Sequence, residues 1–156
     1  DGLPYAQYVK QGFLKLSGEN FIDYHDVMDF FIDLVKNKKI YPLQNGYDRY
    51  SAQYLIQEMK NSGFHMDDVF QGYNLTSIIQ TTEGYIRDRK FNFGNNTLLK
   101  VHLLDSALKQ DTEQNKCKLI KLSTTSHVDG AATLLDAMCM REKWHSKIGE
   151  QLKNKR

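Results

Sequence analysis

The sequence predicts an α/β domain, and two observations carry the prediction. Several stretches repeat apolar residues at helical spacing, and shorter stretches between them have the length and alternation of strands. Composition agrees: 156 residues with 40% hydrophobic, 26% charged and only two prolines make a globular chain rather than a disordered or collagen-like one. A chain of this length buries roughly two thirds of its unfolded surface around one core. One domain over 1–156 is therefore expected.

Pro4 stands at a helix start, and Tyr5, Tyr8, Val9, Phe13 and Leu16 keep helical spacing until Gly18 offers a stop. Asp23, or the Tyr24-His25-Asp26 that follows, opens a second helix with a broad apolar face of Val27, Met28, Phe30, Phe31, Leu34 and Val35. Lys36, Lys38 and Lys39 complement the dipole at its end. Ile40 to Tyr47, interrupted by Pro42, reads as a strand running into a loop at Asn45-Gly46, with an isolated turn as the rival. After Asp48, the residues Tyr50, Tyr54, Leu55 and Met59 predict a third amphipathic helix that stops at Gly63.

His65 to Gln71 alternates weakly as a strand. Ser77 to Lys90 reads as a helix through Ile78, Ile79, Tyr85 and Ile86, and Phe91 to Asn96 as a loop. Asn96 can cap a helix bearing Leu98, Leu99, Leu103, Leu104 and Leu108, which leaves Lys109 to Lys116 as a turn or surface loop. Lys118 to Leu122 alternates as a strand, and Ser126 with Asp129 three residues on resembles a capping box opening a last helix with Ala132, Leu135, Met138 and Cys139.

A net charge of +2 is too small to imply nucleic acid, but its distribution is uneven. Arg141, Lys143, Lys147, Lys153, Lys155 and Arg156 face only Glu142 and Glu150 at the C-terminal end. The sequence has no apolar run of about 18 residues and no signal-peptide pattern at Asp1-Gly2-Leu3-Pro4. Lacking an initiating Met, the chain reads as a fragment of something longer. Cys117 and Cys139 are too few for a disulfide framework or a clustered zinc site, so reduced thiols and an intracellular setting are expected. The sequons at Asn74 and Asn95 matter only in a secreted protein.

Two acidic residues stand out by position. Asp48, in Gly46-Tyr47-Asp48-Arg49-Tyr50, follows a candidate strand and precedes a helix, where a side chain can project into a crevice at a strand's carboxyl end. Asp129, in Ser126-His127-Val128-Asp129-Gly130-Ala131-Ala132, repeats the arrangement at the last helix, with His127 as a neighbouring ligand or proton carrier. Spacing alone leaves the plainer reading open, in which both acids cap helices. Other patterns carry less. Lys15 to Asp26 overlays a calcium loop, but Lys15 repels the ion and Asn20 replaces the turn-making Gly. His25 with Asp29 reads as a solvated helix face, and Tyr47, Tyr50 and Tyr54 as a core stripe.

In order and wording these segments resemble the C-terminal nuclease domain of phage terminase large subunits. Gly46 to Tyr50 with Ala52 and Leu55 resembles that family's strand-to-helix motif holding a catalytic aspartate, and Gly72-Tyr73-Asn74-Leu75 the turn after its next strand. Phe93 to Leu99 resembles its segment leading into a helix. Lys121, then His127 to Ala132 and Leu135-Asp136-Ala137, resembles its closing motif with another catalytic aspartate. The resemblance runs from Gly2 to about Trp144, with Thr97 where proline is frequent and Asp105 where asparagine is common.

The resemblance implies a ribonuclease H-like fold, lacking the opening strand that bears the family's first acid. It implies an endonuclease that cuts duplex DNA with two Mg²⁺ or Mn²⁺ ions, both hard cations suited to carboxylate oxygens. Asp48 and Asp129 become the catalytic residues, Asp48, Asp129 and His127 the metal ligands, and Arg49, Lys143 and Lys147 the DNA contacts. Double-stranded DNA, other terminase subunits and the portal protein are the implied partners, in the host cytoplasm. The sequence contains no G-x-x-x-x-G-K-[ST], so the family's motor domain is absent from it. Two further readings stay open: a non-catalytic helical module that docks proteins, and a DNA-binding accessory using the basic end.

Overall fold

Two short parallel strands divide the helices into two packed groups. β1 (Asn45–Asp48) and β2 (Met66–Val69) pair in register from Asn45 opposite Met66 to Asp48 opposite Val69. The computed structural model describes residues 2–50 and 53–153, with side chains described as far as residue 150. Ala52, part of the resemblance above, lies outside the described residues.

β2 contributes to both cores because alternate strand residues point to opposite faces. Met66 joins the cluster of Met28, Leu55 and Met59, supplied by α2 (Tyr24–Lys36) and α3 (Gln53–Asn61). Three residues on, Val69 is 1% exposed in the other cluster. Its companions there are Leu75, Ile79 of α4 (Thr76–Arg87), Cys117, and Leu135 and Met140 of α6 (Asp129–Lys153). The strand pair thus has helices on both faces, as parallel sheets require.

Local chemistry sets the helix ends. Asp23 caps α2, its carboxylate accepting the His25 N–H at 2.9 Å. Asn96 caps α5 (Thr97–Leu104) by accepting the Leu99 N–H at 3.0 Å, as expected. α1 (Tyr5–Lys10) ends well before Gly18. Gly12 adopts φ +75°, and the Gly12 and Phe13 N–H groups bond back to the Val9 and Tyr8 carbonyls, closing the helix with a Schellman turn. α6 opens at Asp129 without the expected capping box. The Ser126 hydroxyl instead accepts the Ser123 N–H at 3.2 Å.

Two strands differ from expectation. Asn45 and Gly46 are β1 residues rather than a loop, and residues 40–44 stay outside the strand. α5 stops at Leu104 instead of running to Leu108, and β3 (Ser106–Asp111) follows at once. The Ser106 hydroxyl donates to the Leu103 carbonyl at 2.6 Å, closing the helix. β3 pairs antiparallel with β4 (Lys116–Lys121), so half of the expected surface loop is strand. This hairpin docks on α4 through Thr76, whose hydroxyl donates to the Tyr73 carbonyl at 2.7 Å and accepts the Cys117 N–H at 3.1 Å. Cys117 and Cys139 are free thiols. Among the described residues no helix is long and apolar enough to cross a membrane.

Candidate active site

β1 ends in Asp48, and the parallel pairing brings the carboxyl ends of β1 and β2 out together. Ligands of open α/β sheets gather at such ends. The Asp48 carboxylate is half-buried and accepts the Tyr50 N–H at 3.2 Å, a local turn that fixes the side chain as the chain leaves the strand.

α6 lies directly on this strand pair. A Cβ on Gly46 would stand 2.9 Å from the Asp136 carbonyl, 3.1 Å from Met140 Cγ and 3.2 Å from Val69 Cγ2, so only glycine admits the helix so close. Toward the helix's C-terminal half, Asp67 of β2 receives Lys143 Nζ at 2.6 Å and Trp144 Nε1 at 3.0 Å. Burial opposes that carboxylate's charge, yet the Lys143 and Trp144 hydrogen bonds hold its pKa below the ordinary value. In the other direction Asp136 receives Gln71 Nε2 at 2.6 Å, from the segment just beyond β2. α6 therefore runs antiparallel to the strands, its N-terminus directed toward their carboxyl ends.

Asp136 is the perturbed acid of this region. Burial, reinforced by the neighbouring Asp48 charge and opposed by the Gln71 hydrogen bond, pushes its carboxyl up to about 6. Asp48 and Asp136 thus sense each other as like charges. Asp129, exposed, is the first residue of α6 and lies seven positions before Asp136. Seven residues is nearly two turns, which places both acids on one helix face about 10 Å apart along its axis.

The turn carrying Asp129 is tied down from α5. The His127 N–H donates to Asp105 Oδ2 at 3.1 Å, and the Gly130 N–H donates to His102 Nδ1 at 2.7 Å. The rings of His102 and His127 stack with centroids 6.3 Å apart. Of the three cations expected at DNA, Arg49 grips Asp68 Oδ2 through Nε and an Nη at 2.6 Å each and lies 3.7 Å over the Phe70 ring. Lys143 is engaged by Asp67, and Lys147 lies 5.0 Å from the Trp144 ring.

Residues 3–144 match the family described as "Terminase large subunit, endonuclease domain". The chain belongs to that family. The terminase endonuclease domain also superposes on the crystal structure of the HK97 bacteriophage large terminase with a TM-score of 0.75 at 17% identity. That similarity is one of fold. It covers 86% of this chain and 28% of the other, so the chain spans just over a quarter of that terminase's length. No curated protein matches the sequence.

Within this terminase domain the expected site residues are Asp48, Asp129 and His127; Asp136, Gln71, His102 and Asp105, which the structure brings into contact with this region, were not among them. The seven-residue interval from Asp129 to Asp136 was the available signal, since it puts two acids on one face. Among the described residues no group of three or more His, Cys, Asp or Glu side chains is assembled as a metal cluster. The donors near β1 nevertheless suit a hard cation: half-buried carboxylates whose mutual repulsion a divalent ion relieves.

Proposed function

We propose that this chain is the nuclease portion of a phage DNA-packaging terminase and hydrolyses phosphodiesters of duplex DNA. The observation that carries the reading is the placement of Asp48 at the carboxyl end of a parallel strand. A helix bearing Asp129 and Asp136 lies directly against that strand. The parallel pair with helices on both faces supports a ribonuclease H-like core within a single domain.

Asp48 and Asp129, with His127 beside the latter, are the residues that would hold Mg²⁺ or Mn²⁺. When bound, two such ions activate a water and stabilise the leaving oxygen of the phosphodiester. The protein's own contribution is orientation. The Tyr50 N–H aims the Asp48 carboxylate, and Gln71 holds one Asp136 oxygen. Arg49, Lys143 and Lys147 supply positive charge for the DNA backbone, although Arg49 and Lys143 already have carboxylate partners. The other terminase subunits and the portal protein are the proposed assembly partners, in the host cytoplasm.

The test is Mn²⁺-dependent cleavage of plasmid DNA by the natural full-length product. Asp48→Ala and Asp129→Ala should each abolish it. Full cleavage by both variants would end the assignment.

A further inference from the structure

The structure holds one arrangement that the proposed chemistry does not use directly. On α5 and its C-cap, His102 and Asp105 stand three residues apart and so share a helix face. Each accepts a backbone N–H from the segment that enters α6, and the two N–H groups belong to His127 and Gly130, on either side of Asp129. We infer that His102 and Asp105 form a two-point clamp that sets where Asp129 stands, making them positioning residues for the metal site. This rests on the reading of Asp129 as a metal ligand.

Three observations separate a clamp from incidental contact. First, the Gly130 N–H to His102 Nδ1 bond at 2.7 Å requires a neutral ring with its proton on Nε2, so tautomer and ring orientation are fixed by the contact. Second, residue 130 is glycine where a Cβ would stand 3.0 Å from His102 Nδ1 and 3.2 Å from Leu99 Cδ1. The sequence has kept this approach open. Third, Asp105 is itself anchored, its carbonyl accepting the Leu122 N–H at 2.8 Å where β4 ends. One residue thereby ties both ends of the 122–128 connection to the end of α5. The His127 ring, stacked on His102, adds a further contact to the same turn.

A backbone clamp also explains why an exposed acid can be held in place. Asp129 is exposed, so side-chain packing restrains it little. Holding the Gly130 N–H directly after it and the His127 N–H two residues before it limits where its Cα and Cβ can stand, which leaves mainly the side-chain torsions to settle when an ion arrives. Groups that orient metal ligands in this way commonly change metal affinity by roughly ten- to a hundredfold when removed.

The experiment uses the natural full-length product with Mn²⁺ alone as the probe. Binding is read by electron paramagnetic resonance, and amide hydrogen exchange is followed at residues 127–131. His102→Leu removes the acceptor while keeping bulk, and His102→Asn restores an acceptor near the position of Nδ1. Asp105→Ala and Asp105→Asn form a second, independent pair. The Leu and Ala variants should speed exchange at Gly130 and His127 respectively and weaken Mn²⁺ binding on the order of tenfold. Both Asn variants should recover most of the loss, which a mere packing role would not produce. Wild-type affinity in His102→Leu and Asp105→Ala overturns the clamp, as does an Asn variant no better than its Leu or Ala counterpart. A wild-type protein that takes up no Mn²⁺ overturns the metal reading and the clamp's role in it together. That outcome is distinguished from failure of the clamp alone by the wild-type measurement.

Discussion

Gln71 and Asp136, 65 positions apart in sequence, meet through a 2.6 Å hydrogen bond where the end of β2 passes under α6. The amide donates to a carboxyl that burial pushes up to about 6. The bond therefore favours the charged form in a place that otherwise disfavours it.

A pH dependence follows. The native carboxyl keeps its proton to about pH 6, whereas the unfolded chain releases it near the ordinary value of 3.8. The native state binds the extra proton, so stability from this group is greatest at low pH and is lost as pH rises from about 4 through 6. Asp136→Asn should flatten that part of the profile and melt above wild type at pH 7.5 but not at pH 4. Gln71→Ala should steepen it by removing the interaction that opposes the shift. Melting temperatures from pH 4 to 8 decide the matter, and a wild-type profile rising with pH across that interval would contradict it.

Gly46→Ala should destabilise the domain by about 1–3 kcal/mol, the usual cost of forcing extra volume into a packed contact. The added methyl meets the Asp136 carbonyl at 2.9 Å, a backbone atom that moves only if α6 moves. Urea denaturation measures the loss. An unchanged midpoint would mean that helix and strand are not in contact.

Asp67→Asn should cost about 1–2 kcal/mol, because it removes the charge from an acceptor shared by Lys143 and Trp144. The wild-type carboxyl titrates below its ordinary value, so this contribution is present above about pH 4 and is lost as pH falls through the lowered pKa. Trp144 is the sole tryptophan, and its emission reports the change directly. Emission and stability both equal to wild type at pH 7 would show that the three side chains do not meet.

Lys147→Ala should weaken duplex DNA binding and reduce the salt slope by about 1 if that side chain contacts one phosphate. Arg49→Ala carries a second consequence, since it also releases Asp68 and uncovers Phe70. Binding isotherms at several salt concentrations separate the two. A slope identical to wild type in Lys147→Ala would remove that residue from the DNA interface.

Elements with a strong period were legible in the sequence. α2, α3 and α4 follow apolar residues at helical spacing, and β4 follows alternation, whereas β2, Met66-Asp67-Asp68-Val69, alternates only weakly. β1 was hidden because Asn45-Gly46 is turn chemistry by composition. It is strand through its parallel pairing with β2, and glycine is required there because α6 lies so close. β3 was hidden because Leu104 and Leu108 continue the spacing of α5, and nothing local reveals that Ser106 closes the helix. At the site, family resemblance singled out Asp48 and Asp129. His102 and Asp105 act on backbone N–H groups 28 and 22 positions away, a relationship that leaves no pattern along the chain.

The contact at Gly46 has a consequence for how this domain tolerates change. Helix and strand meet there through the Asp136 carbonyl oxygen and the bare Cα that only glycine supplies, with the Met140 and Val69 side chains beside the contact. Substitutions elsewhere in the surrounding cluster can alter how well the cavity is filled without altering how far α6 stands from β1. The gap between the two acid-bearing segments is thus insulated from drift in the interior. An engineer could exchange Leu75 or Ile79 for apolar side chains of similar volume while leaving that gap as the fixed dimension of the library.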